Sequence, residues 1–181
     1  MSIVAIVSSP LKGGNSDTIV TTMAEAAKAA GKEVEVFHIN PMENRRGCQA
    51  CNGCKRKGAC VIKDDLTPVL DAIRKADSVI LSTPVYFGEA CAQYRLVEDR
   101  MFSFLNGDFS LNIDAGKKCA VVVSAGTAGA EQLADKIENT MKNFFKFEPV
   151  GKICVITGND PKKSANDAAV LAQAKELAAK L

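Results

Sequence analysis

At 181 residues, 47% of them apolar, the chain is long enough for one domain with a real core, which excludes a miniprotein held together by disulfides. A formal charge of +2 leaves no basic field of the kind that nucleic acid or an anionic membrane surface selects. No apolar run approaches bilayer-spanning length, and Met1 runs straight into SIVAIV without a basic leader or cleavage site, so seven cysteines are expected as reduced thiols in a cytoplasmic protein.

Taken in order, the chain alternates. Ile3–Ser8 is a short apolar run that predicts a buried strand. Gly13 and Gly14 break it, and Asn15 or Ser16 caps a helix to about Ala30. Glu33–Ile39 alternates as a second strand. A cysteine-rich loop spans 42–63. Asp64 and Asp65 open a helix to about Ala76, with Pro68 tolerated in its first turn. Ser78–Ser82 is a third strand and Glu89–Phe104 a third helix. Cys119–Ser124 is the fourth strand, followed by a helix from about Ala130 to Phe145. Val150–Thr157 is the fifth strand, and Ser164–Leu181 the last helix.

Near-continuous apolar strands alternating with amphipathic helices predict a parallel sheet covered on both faces. Right-handed crossovers restrict the topology to the doubly wound class. The expectation is a three-layer, doubly wound α/β domain over 1–181 with a five-stranded parallel sheet. Ligands of such sheets bind beyond the carboxyl ends of the strands, at the switch point.

Three loops at that edge have a suitable chemistry. After strand one, SSPLKGGNSDT is rich in hydroxyls at the amino end of a helix. Its backbone N–H groups offer an anion site, to which Ser9, Asn15, Ser16 and Thr18 could add hydrogen bonds. It has neither G-K-[ST] nor G-x-G-x-x-G. After strand three, Pro84 stiffens a loop in which Tyr86 and Phe87 offer flat surfaces and Gly88 leaves room for a planar ligand. After strand four, Ser124–Ala130 is small and polar.

The sharpest motif is GCQACNGCKRKGACVIKDD, with Cys48, Cys51, Cys54 and Cys60 spaced C-x2-C-x2-C-x5-C. Thiolates so spaced can converge on one centre, and Gly53 and Gly58 allow a tight wrap. An iron–sulfur cluster and zinc both accept four thiolates. Lys55, Arg56 and Lys57 lie between the last two cysteines, where they would offset a cluster's charge or guide an acidic donor.

The three loops, SSPLKGGNS, PVYFG and SAGTAGAEQ, resemble the FMN loops of the flavodoxin-like NADPH-dependent FMN reductase superfamily. Glu98-Asp99-Arg100 resembles a further common feature there, and the cysteine spacing followed by VIKDD resembles the iron–sulfur flavoproteins of anaerobes. The resemblance implies a flavodoxin-like strand order, 2-1-3-4-5, and an FMN phosphate at Ser9, Lys12, Asn15, Ser16 and Thr18. It places the isoalloxazine against Pro84, Val85, Tyr86, Phe87 and Gly88 and against Ser124, Ala125, Gly126, Thr127 and Gly129. It puts a [4Fe-4S] cluster on Cys48, Cys51, Cys54 and Cys60. It implies a homodimer or homotetramer in which electrons pass from a ferredoxin-like donor through the cluster to FMN and a small-molecule acceptor. A cluster-free NAD(P)H-dependent FMN or quinone reductase, a flavodoxin-like carrier and a zinc-pinned loop are the alternatives.

No side chain is assigned an acid–base role. His38, the only histidine, is read as packed or on the surface, and Cys119 and Cys154 as core. Cys91 opens the third helix as a small packed thiol. Glu89, if it faced the flavin, would disfavour the anionic reduced form.

Overall fold

The computed structural model describes residues 1–181. Its strands are β1 (Ser2–Val7), β2 (Glu33–His38), β3 (Ser78–Tyr86), β4 (Glu89–Ala90), β5 (Lys118–Ala125) and β6 (Glu148–Ile156). Its α-helices are α1 (Asn15–Ala29), α2 (Gly53–Lys57), α3 (Thr67–Lys75), α4 (Ala92–Arg100), α5 (Ala130–Phe145) and α6 (Ala168–Ala179). Five strands run parallel in the order β2-β1-β3-β5-β6. The centre of this sheet is apolar on both faces, so each face needs a covering layer. One core joins β1, β3 and β5 to α1 and α6 through Ile19, Met23, Ala174 and Leu177. The other joins them to α3, α4 and α5 through Leu70, Val97, Leu133 and Ile137.

The count of strands differs from the expected five. Phe87 and Gly88 both take positive φ, 54° and 82°, the left-handed pair that a two-residue hairpin turn requires. The turn folds β4 back antiparallel on Val85–Tyr86, giving a sixth strand off the parallel path. Consequently β3 extends four residues past the predicted end at Ser82, and residues expected as a loop are strand. The helix expected at Glu89–Phe104 starts instead at Ala92, after the hairpin, and its last turn, Met101–Phe104, tightens to a 3-10 helix. The last helix is similarly split. A 3-10 turn at Lys163–Asn166 precedes Asp167, whose carboxylate accepts from the N–H groups of Ala169 and Val170 and starts α6.

Candidate functional site

At the carboxyl ends of β1, β3 and β5 lies a cleft of about 450 Å³. Of the predicted residues, Ser9 and Asn15, Pro84 through Gly88, and Ser124 through Thr127 line it. Ala128, inside the predicted 124–129 stretch, lines it too, and the sequence reading missed Leu11, Gly14, Thr157 and Asn159. Thr157 and Asn159 follow a strand at the edge of the sheet, where nothing in their types marks a site. No Asp, Glu, Lys, Arg or His side chain reaches the lining. The cleft therefore suits an uncharged planar group, with charge accommodated only by backbone dipoles at one end.

That end is the start of α1. Its N-cap is Gly14, with no side-chain cap. The first N–H groups of a helix have no intrahelical partner, so those of Asn15, Ser16 and Asp17 can serve an anion. The predicted side chains there behave unequally. Lys12 is exposed and does not line the cleft. Ser16 is buried, and its Oγ lies 2.8 Å from Ser124 Oγ, tying the first loop to the third. Thr18 Oγ1 is turned to the Gly13 carbonyl at 3.5 Å. Asp17 Oδ2 accepts from Gly13 N at 2.6 Å, and His38 Nδ1 stands 3.9 Å from Asp17 Oδ1. His38 thus flanks the loop from β2.

At the other end Tyr86 is half exposed and Phe87 fully so, standing at the mouth on the hairpin. Gly129 lies behind the wall: a Cβ on it would sit 3.7 Å from Val85. Glu89 does not face the cleft. Its carboxylate receives Lys136 Nζ at 2.7 Å on the outer surface, and that hydrogen bond holds its pKa below the usual value. Cys91 is buried at the start of α4, with its Sγ donating to the Ser8 carbonyl at 3.3 Å. Burial pushes the Cys119 and Cys154 thiols up to about 12; Cys119 is a core thiol as expected, whereas Cys154 is only half-buried against the core.

The cysteine loop is built differently. Cys48 and Cys51 are exposed, Cys60 half-buried and Cys54 buried. All four line one small recess. No three Cys, His, Asp or Glu groups draw together closely enough to hold a metal ion. The thiols thus surround a space rather than converge on a point, an arrangement unlike a tetrahedral zinc site. The wrap is made by Ala50 and Asn52, whose φ values are 51° and 55°, and by Gly58 at 69°. Gly53 serves another purpose than the expected loose φ: a Cβ there would come within 2.7 Å of Val61.

Three cations pin this loop. Arg100 is buried to 1% exposure beneath it. Its guanidinium donates to Asp64 Oδ2 at 2.8 Å, to the Arg46 carbonyl at 2.9 Å, to the Ile62 carbonyl at 3.3 Å, and from Nε to Cys60 Sγ at 3.1 Å. Arg74 donates to the Gly58 carbonyl at 2.9 Å. Lys55 Nζ is not free to meet a partner, as its place between the cysteines suggested. It donates to the Phe102 and Leu105 carbonyls and lies 3.6 Å from the Phe102 ring centroid. Arg56 and Lys57 remain exposed.

A doubly wound sheet with an uncharged cleft at its switch point and a helix amino end beside it is the architecture of the α/β proteins that bind a nucleotide cofactor at the carboxyl edge of the sheet. The chain belongs to the NADPH-dependent FMN reductase family, whose model matches residues 1–162. It is 32% identical over 161 residues to an iron–sulfur flavoprotein of Methanocaldococcus jannaschii, covering 89% of this chain and 78% of that protein. Its fold is that of an NADH:FMN oxidoreductase solved in its apo form, with a TM-score of 0.69 and 17% identity over 98% of this chain and 86% of the other. It is likewise that of an archaeal flavodoxin, with a TM-score of 0.60 and 13% identity over 98% and 94% of the two chains. The protein is an FMN-dependent oxidoreductase. No helix is long and apolar enough to cross a membrane.

Proposed function

We propose that residues 1–181 form a single FMN-binding domain whose cofactor occupies the cleft, and the uncharged lining between three strand-end loops carries this reading. The phosphate meets the N–H groups at the start of α1, those of Asn15 and Ser16 among them, with the Ser9 hydroxyl, while the Asn15 carboxamide is held by the Asp160 carbonyl and Ser164 N. Lys12 screens the phosphate from outside, and Thr18 braces the loop. The ring lies between Pro84–Gly88 and Ser124–Gly129. Bound FMN supplies hydride or single-electron exchange. The chain's own residues bind, orient and shield. With no titratable side chain among them save the Tyr86 phenol, they hold no obvious proton-transfer group at the ring. NAD(P)H, the donor named by the family, and a small acceptor then share the open mouth beside Tyr86 and Phe87.

Cys48, Cys51, Cys54 and Cys60 are the residues that would hold a [4Fe-4S] cluster, taking electrons from a ferredoxin-like donor. Supporting this are the single recess that all four line and the N–H···S bond to Cys60. The likeness to an iron–sulfur flavoprotein also supports it. The second reading, a cluster-free NAD(P)H-dependent FMN or quinone reductase, is supported by the family match itself. In either case a homo-oligomer in the cytoplasm is proposed.

Anaerobic purification with an absorption spectrum, iron and acid-labile sulfide counts tests both. Flavin bands with about four irons and four sulfides per chain support the cluster. Flavin without iron, even after anaerobic reconstitution, leaves the reductase. No flavin binding at all overturns the proposal.

A further inference from the structure

The loop after β6 is the part of the cleft wall that nothing above assigns. We infer that Asn159 is a cofactor-binding residue that presents its carboxamide to the ring end of the flavin. This rests on the reading of the cleft as the FMN site.

Three observations carry it. First, Thr157 and Asn159 line the same cleft as Tyr86 and Phe87. Second, the loop is zipped to the ring-binding loop after β5. Thr157 N donates to the Ala125 carbonyl at 2.8 Å, and Gly158 N donates to the Gly126 carbonyl at 2.9 Å. Thr157 Oγ1 adds a bond to the Ala125 carbonyl at 3.1 Å. These bonds extend the β5–β6 ladder beyond its last paired residues and fix where Asn159 stands. Third, Gly126 leaves the space that Asn159 uses: a Cβ on Gly126 would lie 2.5 Å from Asn159 Oδ1.

The neighbours of Asn159 are committed elsewhere. The Asp160 carbonyl accepts from Asn15 Nδ2 at 2.7 Å, and Lys162 Nζ donates to the Gly13 carbonyl at 2.6 Å. Ser164 N donates to Asn15 Oδ1 at 2.7 Å. Those bonds anchor the loop to the phosphate end, whereas the Asn159 carboxamide bonds to none of these groups. One amide offers a donor and an acceptor side by side. The pyrimidine edge of an isoalloxazine alternates carbonyl acceptors with an N–H donor, which is the complementary pattern. Asn159 holds φ at 65°, a conformation asparagine tolerates better than most residues and glycine adopts freely.

The test is therefore Asn159→Gly, which removes the carboxamide without straining the backbone. FMN and riboflavin are titrated into the flavin-free full chain, wild type and variant, by fluorescence quenching. Loss of a hydrogen bond at the ring weakens both ligands by the same factor, about three- to tenfold. Unchanged affinity in Asn159→Gly overturns the inference while leaving the FMN site intact. A loss for FMN but not riboflavin also overturns it, because the residue then acts through the phosphate loop. Wild-type protein that binds neither flavin refutes the site itself.

Discussion

The cleft and the cysteine loop lie on one molecule and are held in place by opposite means. The cleft is shaped by backbone: the strand ends of β1, β3 and β5, a hairpin turn, and the start of a helix fix its walls, and no charged side chain lines it. The cysteine loop has one short helix of its own and is held by side chains: Arg100, Asp64 and Arg74 bond its carbonyls, N–H groups and one sulfur, and its own Lys55 reaches out to the Phe102 and Leu105 carbonyls. Asp64 Oδ2 accepts from Arg46 N at 3.1 Å as well as from Arg100, so one carboxylate joins the start of the loop to its end. A surface built from backbone tolerates side-chain change, and a surface built from a buried ion pair does not.

That contrast sets the largest expected effect. Asp64 and Arg100 side chains are each 1% exposed. Removing one charge strands the other in the interior, a loss of about 3–5 kcal/mol. Arg100→Ala should lose that much in urea unfolding and should speed alkylation of Cys60 and Cys54, whereas Phe87→Ala, at the cleft mouth, should change stability by about 0.5 kcal/mol or less. Equal losses in the two variants would erase the distinction between the regions.

A smaller effect probes a buried hydroxyl–hydroxyl link between two of the cleft loops. Ser16 Oγ and Ser124 Oγ share a hydrogen bond at 2.8 Å, and truncating either leaves the other hydroxyl buried alone. Ser16→Ala and Ser124→Ala should each cost about 1–2 kcal/mol, and the double variant clearly less than their sum. Strict additivity in a denaturant double-mutant cycle would show that the two loops are placed by backbone only.

The same contrast explains what could be read from the sequence. The parallel sheet, both covering layers and most of the cleft follow from apolar runs and glycine-rich strand ends, since those patterns act on backbone, whereas the strand order is what the family resemblance implied. The hairpin at Phe87-Gly88 was not legible because its first left-handed residue is a phenylalanine, whereas asparagine or glycine is the usual signal. Asn159 was hidden because its place depends on pairing beyond the end of β6. In the cysteine loop, the spacing of the thiols marked the site but not its support. Nothing local in Arg100 or Lys55 distinguishes a cation turned inward from a solvated one. The expected freedom at Gly53 turned out to be a close approach to Val61, with Ala50 and Asn52 making the turns.

The smallest effect lies beside the cysteine loop, where an aromatic hollow between α4 and α5 is lined by Phe102, Phe144, Glu98 and Cys48. Burial raises the Glu98 pKa above its ordinary 4.5, and the charge of Arg95 pulls it partly back. Tyr94, buried, bonds Glu98 Oε1 at 3.2 Å, and burial raises its pKa too. Between the unfolded and folded values of Glu98 the folded chain holds more protons, so its contribution to stability is full below the unfolded value. That contribution is lost as pH rises through the folded value. Unfolding free energy measured from pH 4 to 7 should therefore fall with rising pH more steeply in wild type than in Glu98→Gln, which cannot titrate. Other carboxylates contribute equally to both proteins and cancel in the difference. A difference that is flat, or that rises with pH, would mean that the Arg95 pair outweighs burial and that this wall, like the cleft, is electrostatically quiet.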